Sequence, residues 1–60
     1  MKTYIIESLD LEDIQFLAGW FTRNRWTFIT EGRSIKVVIP KIDQGIFNRF
    51  LLDKYLFHEV

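Results

Sequence analysis

The chain has no cysteine and only one histidine, one proline and three glycines in 60 residues. Its eight Lys and Arg are balanced by eight Asp and Glu. Each scarcity excludes something. Without cysteine there is no disulfide, and His58 without thiols is a poor basis for a structural zinc site. The glycines stand apart at positions 19, 32 and 45, so no glycine-rich loop can cradle a phosphate. Ser8 and Ser34 have no neighbouring base, and neither occupies a glycine-bracketed strand-to-helix elbow. Glu12 and Asp13 are adjacent carboxylates, but the first turn of a helix accounts for them. The expectation is therefore no catalytic residue, no cofactor, no metal and no small-molecule substrate. The protein is expected not to be an enzyme.

Zero net charge and a pI of about 6.5 remove two further classes. Bulk attraction to nucleic acid needs a basic excess, and mimicry of it needs an acidic one. The N-terminal "MKTYIIESLDLED" turns acidic at once and does not read as a signal peptide. No apolar run approaches the length of a membrane span. A cytoplasmic protein with no membrane partner is expected.

What the chain does have is apolar mass. Hydrophobic residues make up 48%, including two Trp, two Tyr and six Phe. A domain this small buries only roughly 60% of the surface its unfolded chain exposes, so it needs very good packing or self-association. Aromatics serve both, because each buries a large area.

The pattern along the chain predicts one domain spanning residues 1–60. "TYIIE", residues 3–7, reads as a strand. Ser8 or Asp10 can cap a helix, with Glu12 and Asp13 suited to its positive end. Leu11, Ile14, Leu17, Ala18 and Phe21 follow at helical spacing and define its apolar stripe, and the helix should end at Asn24 or Arg25. "WTFIT-EGRS-IKVVIP" predicts a hairpin turning around Glu31 and Gly32, its second strand stopped by Pro40. Residues 43 to about 58 read as a second helix capped by Asp43. Its apolar face holds Ile46, Phe47, Phe50, Leu51 and Tyr55, widened by Leu52, Leu56 and Phe57. The predicted fold is α+β in the order β-α-β-β-α, with two helices on one face of a three-stranded sheet.

Two surfaces are candidates for function. Inside a helix, Gly19 costs about 1 kcal/mol relative to alanine, and the commonest offset is close approach of another backbone. Phe16, Gly19, Trp20 and Arg23 flank the main stripe and form a second patch for a protein partner. The other candidate gathers Arg23, Arg25, Arg33 and Lys36 around the hairpin, interleaved with Trp26 and Phe28. Basic and aromatic groups together can hold a nucleic-acid backbone and stack bases.

"FLAGWFTRN" followed by a hairpin resembles the signature helix of the LAGLIDADG homing endonucleases. "IKVVIPKIDQGIFNRFLLDKYL" resembles the strand and helix that come next in that family. The identical residues are Leu17, Ala18 and Gly19. The resemblance implies that Ala18 and Gly19 pack against another helix and that the hairpin faces DNA. Thr22 and Asn24 stand where the family's acids should fall and Arg25 replaces its final glycine, so a relative of this kind would not cleave.

The expected function is a non-catalytic protein–protein interaction module. It would form a homodimer, dock on a larger host protein, or do both, as a phage or mobile-element accessory protein that modulates or inhibits its target would. The alternative is a small nucleic-acid-binding regulator using Arg23, Arg25, Trp26, Arg33 and Lys36.

Overall fold

The computed structural model of the chain describes residues 1–51 and 54–60. Its elements are β1 (Lys2–Glu7), α1 (Leu11–Arg23), β2 (Thr27–Glu31), β3 (Ser34–Ile39), α2 (Gln44–Leu51) and β4 (Leu56–Glu59). A 3-10 turn over Lys41–Asp43 leads into α2. The strands form one sheet in the order β2-β3-β1-β4, with every neighbouring pair antiparallel. Consequently β1 runs parallel to β2 with β3 between them, and β3 runs parallel to β4 with β1 between them. Two split β-α-β units are thus interlocked in a single sheet.

The α+β class and the two helices agree with the sequence reading, but the sheet has four strands rather than three. Residues 56–58, expected in the second helix, lie in β4 and pair with β1 instead, and Lys54 and Tyr55 are not helical either. An apolar pair such as Leu56-Phe57 suits either period. The free edge of β1 decides between them, because its backbone groups need partners. The N–H of Val60 donates to the Thr3 carbonyl at 2.9 Å, and Phe57 stands beside Ile6. The expected helix over 52–53 and the side chain of Leu51 lie outside the described residues.

Alternation along the strands puts Tyr4, Ile6, Ile35, Val37 and Ile39 on the helix-covered face, all buried. Leu9, Leu17, Phe21, Trp26 and Phe47 close the core from above. Three expected apolar positions do not take part: Leu11 is 70% exposed, Ile46 56% and Leu56 67%. The stripe of α1 therefore narrows to Ile14, Leu17 and Phe21, with Ala18 at its half-buried margin.

The helix ends explain the local chain path. Asp10 caps α1 by accepting from the Asp13 N–H at 2.9 Å. At the other end, the N–H of Arg25 donates to the Thr22 carbonyl at 3.1 Å and that of Trp26 to the Phe21 carbonyl at 3.0 Å. This is a Schellman ending, completed by contact between the Phe21 and Trp26 rings, whose centroids are 5.7 Å apart. It holds Arg25 at φ 61°, in the left-handed region where a side chain is strained. The hairpin turns on Gly32 and Arg33, with Gly32 at φ 58°, which glycine takes without steric cost.

Asp43 does not act as the simple cap expected of it. Its carboxylate accepts the indole N–H of buried Trp26 at 2.9 Å, tying the entrance of α2 to the exit of α1. Asp43→Ala would leave that buried donor unpaired and should lower stability by about 1–3 kcal/mol. Arg25→Gly should raise it by roughly 0.5–1 kcal/mol by relieving the left-handed strain. Urea denaturation of the two variants checks both signs.

Candidate interaction surface

The residues singled out on α1 come together on its outer side. Phe16 is 50% exposed, and its ring stacks on Phe50 of α2 with centroids 5.8 Å apart and planes 20° from parallel. Trp20 is half-buried. Its ring lies 4.2 Å from Phe50 and 5.0 Å from Trp26, centroid to centroid. Trp20 therefore supports the patch from beneath and joins it to the core, while Phe16 presents the exposed apolar surface. The Lys54 ammonium sits 4.7 Å over the Phe50 ring, an arrangement in which the ring's negative face attracts the cation. Phe50 is the ring on which this surface is assembled, and only its place at helical spacing marked it in the sequence.

Gly19 lies beside Phe16 and is exposed. A Cβ built on it would meet nothing within 4 Å. No described backbone of this chain approaches it, so the expected close approach is not made within the fold. Arg23 is exposed one turn further on, and Glu12 is exposed at the opposite end of the helix. Ala18, paired with Gly19 in the LAGLIDADG comparison, is instead half-buried on the flank nearer the core.

The basic candidates do not converge. Trp26 is 4% exposed and offers no open ring face to a base, a correction to its expected stacking role. Its position after a helix end made it look like part of the hairpin surface, but the Schellman ending turns it inward. The Arg33 Nε–H donates to the Leu9 carbonyl at 3.1 Å, which directs the guanidinium toward the β1–α1 connection. Lys36 pairs with Ile5 and Ile29 on neighbouring strands, on the sheet face opposite the helices. Arg23 and Arg25 lie at the end of α1, on the helix side.

The acidic pair also separates. Asp13 accepts a hydrogen bond from the Tyr55 hydroxyl at 3.3 Å, fastening the segment before β4 to the start of α1. Burial, then the negative charge of Asp13 and the hydrogen bond to it, and lastly the charge of Asp10, raise the Tyr55 phenol above its ordinary 10.0. His58 lies on β4, with Nδ1 3.3 Å from a Glu7 carboxylate oxygen. Among the described residues no group of three or more His, Cys, Asp or Glu is placed to hold a metal ion. No described helix is long and apolar enough to cross a membrane.

No family model, curated protein or solved structure matches the chain.

Phe50→Ala would remove the shared support of Phe16 and Trp20. It should cost about 2 kcal/mol, below the 3–5 typical of a fully buried phenylalanine, with a change in tryptophan fluorescence as the check. The raised Tyr55 phenol also has a signed consequence. The folded chain holds that proton more tightly than the unfolded chain does. Its contribution is complete below pH 10 and is lost as pH rises beyond the unfolded phenol's range. Tyr55→Phe should flatten the fall in unfolding free energy above about pH 10, measured by urea titration at each pH.

Proposed function

We propose that this protein is a non-catalytic protein–protein interaction module that docks through the outer side of α1. The observation that carries this reading is half-exposed Phe16 beside the open position at Gly19, with Trp20 and Phe50 holding the aromatic edge rigid. An anchor whose conformation is already fixed loses little entropy on binding, and large aromatics supply much of the binding energy where they are desolvated. Arg23 adds a charged rim. In such a role the protein acts by occupying the surface of its target, as a small modulator or inhibitor does.

Nucleic-acid binding has less support. It would need Arg23, Arg25, Arg33 and Lys36 to face one ligand with Trp26 among them, and these groups are dispersed over two sides of the fold around a buried ring.

The test is capture from extracts of the source cells, with the wild-type chain, Phe16→Ser and Gly19→Leu as baits at low and high salt. Gly19→Leu is informative because it raises helix propensity by several tenths of a kcal/mol, so lost capture reports on docking and not on unfolding. A protein retained by the wild type through high salt and released by both substitutions is expected. Retention of nucleic acid that falls steeply with added salt, or capture that neither substitution alters, would overturn the reading.

A further inference from the structure

Four exposed residues of α1 form a single line: Glu12, Phe16, Gly19 and Arg23. Their spacing of four, three and four residues confines them to an arc of about 60° at 3.6 residues per turn. That arc lies opposite Leu17 and Phe21, which face the core. It is the outermost line of the helix. Read along it, the order is acid, aromatic ring, gap, base.

This order is complementary to its own reverse. If a second α1 is laid antiparallel along the line, Phe16 of each copy falls over Gly19 of the other. Glu12 of each then falls beside Arg23 of the other. All four positions are matched about one twofold axis crossing the helix between Leu17 and Ala18, as a self-complementary interface requires. A parallel arrangement would set Glu12 against Glu12 and Arg23 against Arg23, so the charges select the antiparallel one.

The groups are available for it. The space that a Cβ at Gly19 would occupy meets no described atom within 4 Å, which leaves room for an incoming ring. Phe16 has half its surface exposed. Among the described residues the close contacts between basic and acidic side chains join Lys2 to Glu59 and His58 to Glu7, and neither Glu12 nor Arg23 takes part. We propose that the occupant of the α1 surface is a second copy of this chain, packed antiparallel with Phe16 seated over Gly19 and Glu12 paired with Arg23 across the twofold axis. This deepens the reading of α1 as the docking surface and rests on it.

The experiment is sedimentation equilibrium on the full chain, from low micromolar to millimolar concentration, with far-UV circular dichroism confirming that each variant is folded. The wild type should dimerise. Glu12→Arg alone places cations together at both ends of the contact, and Arg23→Glu alone places carboxylates together. Each should weaken self-association roughly tenfold. An equimolar mixture of those two variants restores opposite charges at both ends and should form a heterodimer at least as tight as the wild-type dimer. Gly19→Leu should abolish dimerisation while keeping or raising helicity. A wild type that stays monomeric throughout, single reversals without effect, or a mixture that fails to associate would each overturn the proposal. So would a dimer indifferent to every α1 variant, such as pairing through the free β2 edge would give. The docking reading fails separately, when Phe16→Ser and Gly19→Leu both leave self-association and capture from extracts unchanged.

Discussion

The fold depends on the burial of one ring. Phe47 is fully buried, and its centroid lies 4.6 Å from that of Tyr4 on β1 and 5.7 Å from that of Phe57 on β4. The rings of Phe21 on α1 and Trp26 beyond it are 6.4 Å and 6.1 Å away. This single side chain therefore joins α2 to the sheet centre, to the last strand and to the other helix. In so short a chain there is little redundancy in the core, and aromatics provide contact over the longest reach for the fewest residues. The Trp26–Asp43 hydrogen bond works in the same place, holding the start of α2 so that Phe47 meets its neighbours.

That economy has a consequence at the surface. Two helices on one sheet face bury one side of each helix, and the chain carries more apolar side chains than those two sides can cover. Much of the excess is spread singly, at Leu11, Ile29, Ile42, Ile46 and Leu56, but the aromatic part of it is gathered. Phe16, Trp20 and Phe50 form a continuous edge between α1 and α2, in contact with the core through Trp20 and Trp26. An apolar edge fixed by the core loses little further order when something packs on it. Gly19 fits the same logic. Its lack of a side chain serves no contact among the described residues, and it leaves open space beside an exposed ring.

Elements that stand on local rules were legible in the sequence. The Asp10 cap, the acidic first turn of α1, the glycine of the hairpin turn and the strand stop at Pro40 each need only a few neighbouring residues. The candidate surface on α1 was legible for a similar reason: helical spacing alone put Phe16, Gly19, Trp20 and Arg23 together. The basic set around the hairpin was not, because nearness in sequence does not determine which side of a sheet or helix a residue occupies.

The sequence by itself determined that this chain would be α+β, with a capped first helix, a β2–β3 hairpin and an aromatic-rich core, since periodicity and capping are properties of short segments. Only the tertiary structure decided the rest. The segment Leu56–Glu59 became a strand because β1 had an edge to satisfy. Trp26 turned inward because the helix ending places it over Phe21 and within reach of Asp43, 17 residues further along the chain. The division of labour between Phe16 and Trp20, one exposed and one supporting, was set by Phe50, which arrives from the other helix. In each case the deciding partner is distant in sequence, and its free energy enters only when the chain has closed on itself.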